Sequence, residues 1–182
     1  MSSVGFRMAE ASDLPAIVAL LADDELGAGR EQVGEVVAGA YVRAFEAIDG
    51  DPNHELIVAT NAHGAVIGVA QLTFIPTLTQ EGMLRAQIEG VRVSSASRGL
   101  GLGEALIRDM IDRAGARGAR VVQLTTDKRR GRALRFYERL GFRGTHEGLK
   151  LRLEPDARRP RDPREDTTLG GRWTGGTDGG GV

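Results

Sequence analysis

Two hydrophobic periods run through this 182-residue chain. Where apolar and polar residues alternate the chain reads as strand; where apolar residues return every three or four positions it reads as helix. Phe6–Ala9 is a first strand. Ser12 caps a helix to about Ala22, with Asp13 and Pro15 in the first turn, as helix starts favour. Asp23, Asp24 and Glu25, then Gly27 and Gly29, break the chain into a loop. Arg30–Ile48 is expected as a second helix burying Val33, Val36, Val37, Ala40, Tyr41 and Ala44. Glu55–Thr60 and Val66–Ile75 are β-rich runs joined through Asn61–Gly64 as an antiparallel hairpin. Pro76 ends the second run, and Thr77–Gly82 is a loop.

Met83–Val93 is a fourth strand. Leu102–Ala116 is a third helix, with Leu102, Leu106, Met110, Ile111 and Ala114 on one face. Val121–Thr125 is a short run of the parallel, buried kind. Arg130–Leu140 is a fourth helix stopped by Gly141, and Phe142–Leu153 is expected to return as one or two last strands. Beyond Glu154 almost nothing apolar remains except Leu169 and Trp173, and the end is Gly-rich. Such a segment buries too little to offset its ordering entropy. The expected organisation is one domain over residues 1–153 and a disordered Pro/Arg/Gly-rich tail over 154–182.

The strongest chemical signal lies between the fourth strand and third helix, in Arg98-Gly99-Leu100-Gly101-Leu102-Gly103. A glycine-rich turn lets successive backbone N–H groups close on a phosphate, and a helix N-terminus adds unpaired N–H groups and partial positive charge. A P-loop would need Lys-Ser/Thr after its last glycine, but Glu104-Ala105 follow. A G-x-G-x-x-G dinucleotide fingerprint fails in both registers, at Glu104 and at Leu106. The spacing that fits is R-x-x-G-x-G. About thirty residues on comes Ala133-Leu-Arg-Phe136-Tyr137-Glu-Arg-Leu140-Gly141-Phe142.

Together these two motifs resemble the GNAT superfamily of N-acetyltransferases, whose loop has the form Q/R-x-x-G-x-G/A and whose second signature is A-x-x-F-Y-x-x-L-G-F. The resemblance covers about Phe6 to Leu153. It implies an α/β fold: a mixed, twisted six- to seven-stranded sheet flanked by about four helices. It also implies acetyl-CoA as co-substrate and direct acetyl transfer to a primary amine. The backbone of Val91, Arg92 and Val93 would then lie beside the pantetheine arm. Arg98, Gly99, Leu100, Gly101, Leu102, Gly103 and Glu104 would hold the pyrophosphate, and Tyr137 would be the acid for the leaving thiolate. Where the family often carries Asn, this chain has Arg130, which, or Lys128, would meet a CoA phosphate.

Amide formation from a thioester needs a deprotonated amine, a stabilised carbonyl oxygen and a neutralised thiolate. A phenol can donate a proton at neutral pH while staying protonated itself, which suits Tyr137; an aromatic pair on a helix is also common core, as expected for Phe136. Glu89, nine residues before Arg98, is the candidate base, at the distance where spermidine-type members of the superfamily carry a carboxylate. By strand alternation it shares a face with Val91 and Val93. A substrate-binding or structural carboxylate fits it equally, and His146-Glu147 is the reserve.

Composition narrows the remaining choices. The chain has no cysteine, which excludes a disulfide scaffold, a thiolate metal site and a cysteine nucleophile. Its three histidines have no ligand spacing, so no metal is expected. No leader-like segment is seen, and Leu14–Ala22 is too short to span a bilayer, so a soluble cytoplasmic protein without membrane contact is expected. Charge is uneven: residues 1–97 hold five Lys/Arg against thirteen Asp/Glu, and residues 98–143 hold twelve against five. An acidic half beside a basic half suits an anionic cofactor meeting a cationic acceptor, although Arg-rich helices also simply solvate. Sparse aromatic residues near the basic segment argue against nucleic acid. The acceptor is expected over Asp23–Glu25 and Thr77–Gly82 and to be small and cationic, with a CoA-binding regulatory module as the alternative. The resemblance also admits a homodimer.

Overall fold

Five strands lie side by side in chain order in the computed structural model of the protein, which describes residues 4–23, 31–34 and 37–151. They are β1 (Gly5–Met8), β2 (His54–Thr60), β3 (Val66–Pro76), β4 (Leu84–Val93) and β5 (Val121–Leu124). Five helical segments accompany them among the described residues: α1 (Leu14–Ala22), α2 (Gly39–Asp49), α3 (Thr79–Gly82), α4 (Leu102–Ala116) and α5 (Gly131–Arg139). α3 is a single turn in which Gln80 and Glu81 take left-handed φ values of 53° and 63°. β1 to β4 form an antiparallel meander, whereas β5 runs parallel to β4. That change of sense follows from the connection: α4 crosses over between β4 and β5, and a helical crossover is what returns a strand in the same direction.

Alternation along the strands sorts the core into two layers. Ile57, Ala70, Leu72, Phe74, Ala86 and Ile88 meet Leu106, Ile107, Met110 and Ala114 of α4. On the other face Val58 and Val69 pack with Leu14, Ile17 and Leu20 of α1 and with Phe45 of α2. α4 has the bounds its periodicity predicts, and burying each of its large apolar side chains contributes about 2 kcal/mol relative to exposure. α1 is tied to β1 by a bidentate pair: Arg7 Nη1 and Nη2 donate to Asp13 Oδ2 and Oδ1 at 2.6 and 2.9 Å. The Glu10 N–H also donates to Asp13 Oδ2, at 2.8 Å. These bonds hold the Asp13 carboxyl below its ordinary range, with Arg7 the chief cause.

Three expectations need correction. The second helix begins at Gly39, not Arg30; residues 31–34, 37 and 38 are not helical, and 35 and 36 lie outside the described residues. Val33, Gly34 and Val37, ahead of the helix, are poor helix formers. The segment folds back instead, with the Gln32 N–H donating to the Tyr41 hydroxyl (3.0 Å) and that hydroxyl to Glu31 (2.8 Å). Val33, Ala40 and Ala44 are exposed, and Phe45 supplies the buried contact. Second, the described residues form a sheet of five strands rather than six or seven. Among the described residues Phe142–Leu151 form no strand: Gly144 and Gly148 interrupt the stretch, and Leu149 and Leu151 have no apolar surface to cover them, being 94% and 86% exposed. Third, the helical segments number five rather than four, because Thr77–Gly82 contains the α3 turn. The tail expected from Glu154 lies outside the described residues.

Candidate active site

β4 and β5 part company halfway along β4. Their ladder runs from Arg85 opposite Val121 to Ile88 opposite Leu124 and stops there. From Glu89 to Val93, β4 keeps β3 on one side and has no strand on the other among the described residues. The opening has a local cause. Glu89 pairs with Gln71 and Arg92 with Val69, so Gly90 and Val91 together face the single residue Ala70. This is a β-bulge, and Gly90 sits in it at φ +62°, a conformation a side chain strains. A bulge adds twist to its strand, which turns β4 away from β5.

The end of β4 leads through Ser95–Ser97 into the glycine loop. Gly99 and Gly101 have φ values of +80° and +82°, and Gly101 is the N-cap of α4 without a side-chain cap. The first hydrogen bond closing that helix is Ala105 N–H to Gly101 O at 3.0 Å, so the N–H groups of the first turn have no partner within the helix. Gly103 differs from its neighbours. Its φ is ordinary, and an added Cβ would meet Phe136 Cζ at 3.7 Å and Val93 Cγ2 at 3.8 Å, which is normal contact. Glu104, in the first turn, pairs with Arg108 at 2.8 Å.

Tyr137 belongs to the layer on the α4 side of the sheet, edge-on to Phe136 and Phe142 with ring centroids 5.1 and 5.8 Å away. Burial pushes its phenol above the ordinary range, against the opposing pull of the Arg130 and Arg92 guanidiniums. It is therefore protonated throughout the neutral range. The glycine turn and the start of α4 present N–H groups that suit an anion, β4 has no described strand on its β5 side from Glu89 to Val93, and Tyr137 offers a protonated phenol.

Comparison with known proteins agrees. Residues 17–142 match the acetyltransferase (GNAT) family. The chain belongs to the GNAT acetyltransferase family. GNAT acetyltransferases use acetyl-CoA as the acetyl donor. A crystal structure named as a transcriptional regulator from Bacillus halodurans C-125 is 51% identical, with TM-score 0.80 over 82% of this chain and 99% of its own. An acetyltransferase from Trypanosoma brucei is 28% identical, with TM-score 0.68 over 83% of this chain and 100% of its own. The glucosamine 6-phosphate N-acetyltransferase of Trypanosoma brucei brucei is 37% identical over 90 residues, which is 50% of this chain and 59% of that protein. The chain thus spans little more than half the length of that relative.

Against the GNAT pattern, the residues singled out in the sequence fall as follows. Val91 and Val93 lie on β4 beyond the β5 ladder, with the Val91 carbonyl accepting from Arg92 Nη1 at 2.8 Å and the Val93 carbonyl from Arg98 Nε at 3.3 Å, and the glycine loop follows Ser95–Ser97. Glu89 does not share their face: it stands opposite Gln71 on the α1 side, whereas Val91 packs into the α4 layer. The bulge reverses the alternation between them, and a glycine inside a strand pattern was the signal available for it. Arg130 caps the start of α5. Lys128 pairs with Glu147 at 3.0 Å, and His146 Nδ1 lies 2.8 Å from its neighbour's Thr145 hydroxyl, all on exposed chain. Asp24 and Glu25 lie outside the described residues. Asp23 meets the glycine loop: its Oδ2 accepts the Ser95 N–H at 2.8 Å and lies 3.3 Å from Arg98 Nη2. Nothing in local sequence could show that contact, since it joins residues 72 positions apart. No described helix is long and apolar enough to cross a membrane.

Proposed function

We propose that the protein is an N-acetyltransferase that moves acetyl from acetyl-CoA directly to the primary amine of a small acceptor. The observation that carries this is the parting of β4 from β5 at Ile88, with the left-handed Gly99–Gly101 loop at the far end of the freed strand. The edge of Val91–Val93 that no described strand covers suits a pantetheine arm through its N–H groups, the Val91 and Val93 carbonyls already accepting from Arg92 Nη1 (2.8 Å) and Arg98 Nε (3.3 Å), and the bare amides from Gly99 to Glu104, beside Arg98, suit its diphosphate. Arg130, at the start of α5, is the residue we assign to a further CoA phosphate, in place of the asparagine common in the family.

Acetyl-CoA supplies the acetyl group as a thioester. The amine nitrogen bonds to the carbonyl carbon as the carbon–sulfur bond breaks; the amine's proton passes to Glu89, directly or through water, and Tyr137 protonates the departing sulfur. Glu89 and Tyr137 belong to opposite faces of the sheet. The amine would approach from the α1 side and the thiol leave on the α4 side, an arrangement suited to direct transfer without an acyl-enzyme. His146-Glu147 has less support as base, because Glu147 is already paired with Lys128.

The acceptor is a primary amine, and the case for a purely cationic one is weaker in three dimensions, because Asp23 already has Arg98 and Ser95 as partners. The first acceptor to test is glucosamine 6-phosphate, on the strength of the 37% identical relative. Thiol release and the mass gain of one acetyl group in place of a hydrogen would be followed with that sugar, polyamines, amino acids and lysine peptides. A regulatory CoA-binding module is the second reading and has less support, because the family matched is one of acetyltransferases. Tight CoA binding with no thiol release on any amine would select it.

A further inference from the structure

The signature arginine of the cofactor loop is engaged with the protein itself. Arg98 Nε donates to the Val93 carbonyl at 3.3 Å, and Nη2 donates to the Asp23 carbonyl while lying 3.3 Å from Asp23 Oδ2. The same Oδ2 accepts the Ser95 N–H at 2.8 Å. Asp23 is in turn the C-cap of α1, with its own N–H donating to Ala19 O and Leu20 O. One edge of the guanidinium fork is therefore taken up by the end of β4 and the end of α1. The Ser95 N–H, chiefly, holds the Asp23 carboxyl below its ordinary range, so it is charged at neutral pH.

A carboxylate beside an anion-binding loop opposes the anion unless something offsets it. Here Arg98 offsets it, and the pair becomes a strut between two elements that pack on the sheet independently. We propose that Asp23 is a positioning residue for the diphosphate loop, acting through Arg98 and the Ser95 amide. This rests on the reading that the loop binds the diphosphate of coenzyme A. Gly99 and Gly101 make that loop supple between two backbone anchors, Arg98 N–H to Ser95 O at 3.3 Å and Ala105 N–H to Gly101 O at 3.0 Å. The strut fixes where its amides point, and Arg98 serves by bracing the loop.

The test measures binding of coenzyme A and of pantetheine, which lacks the diphosphate, to the full chain by calorimetry, with melting temperature followed in parallel. D23A should weaken coenzyme A roughly five- to tenfold and leave pantetheine unchanged. R98A should do the same, and the double variant no more than either alone, since one strut is removed once. D23N, which keeps an oxygen for the Ser95 N–H, should recover part of the loss; it and R98A serve if D23A folds poorly. In steady-state kinetics the loss should fall on KM for acetyl-CoA rather than on kcat. The inference is overturned if D23A binds coenzyme A as well as or better than the parent, as expected were Asp23 merely withholding Arg98 from phosphate. Equal weakening of pantetheine, or additive losses in the double variant, would also overturn it. Gly101→Asp separates the two levels. If it leaves coenzyme A affinity unchanged, the loop reading itself fails; if it weakens coenzyme A and D23A does not, only the strut fails.

Discussion

Glu89 and Val91 stand two residues apart on β4 and face opposite sides of the sheet, which an unbroken strand forbids. The reversal is the work of the Gly90 bulge, and it puts the candidate base on the α1 side while the strand edge meant for pantetheine stays with the α4 layer.

Gly90→Ala therefore tests more than stability. Forcing a Cβ into φ +62° costs about 1–2 kcal/mol, readable as a lower urea midpoint. If the bulge relaxes, Glu89 turns with it, so kcat/KM should fall further than the small unfolded fraction explains. A G90A protein with parental stability and turnover would contradict this account of the opening.

Two glycines of the cofactor loop should part company under substitution. Gly101→Ala meets the left-handed penalty of about 1–2 kcal/mol and should disturb acetyl-CoA binding by roughly tenfold. Gly103→Ala adds only ordinary contacts with Phe136 and Val93 and should stay within about 0.5 kcal/mol of the parent. Acetyl-CoA titrations and thermal melts of the two variants decide it; equal losses would mean the loop is not read correctly.

Tyr137→Phe removes one hydroxyl from an aromatic cluster that otherwise persists. Melting should be nearly unchanged while kcat drops about a hundredfold, the scale of a lost general acid. Because burial raises the phenol's pKa, its acid form is lost only as pH climbs beyond the ordinary tyrosine range. The kcat profile should accordingly show no descending limb from Tyr137 between about pH 7 and 9. Wild-type turnover in the Phe variant would remove Tyr137 from the chemistry.

Acid should attack the α1–β1 junction. The Asp13 carboxyl is held below its unfolded pKa, so its contribution is complete above about pH 4 and is lost as pH falls through the lower folded value. Asp13→Ala, which leaves Arg7 and the Glu10 N–H without their acceptor, should cost roughly 1–3 kcal/mol at pH 7 and flatten the dependence of stability on pH below 4. Denaturant melts at pH 7 and about pH 3 would check both.

Much of this protein was legible in one dimension because local periodicity reports local structure. Leu102–Ala116 is a helix for reasons contained in its own fifteen residues, and the two motifs around Gly101 and Tyr137 carried the family. The start of the second helix is not legible in the sequence because Val33 and Val37 satisfy a helical period as hydrophobics yet disfavour the helix as β-branched residues. Tyr41 settled the matter by engaging Glu31 and Gln32. The last strands failed for the opposite reason: Leu149 and Leu151 alternate correctly, but alternation makes a strand only where a neighbour supplies hydrogen bonds.

By itself the sequence determined the order of β1 to β5 and the place of α4, α5 and the glycine loop, and it named Tyr137 and Glu89 as candidates, since each depends on residues close together in the chain. Tertiary structure alone decided where β4 leaves β5, which face Glu89 occupies and what Arg98 grips. Those depend on strand register and on contacts between positions such as 23 and 95, and no local pattern encodes a partner 72 residues away.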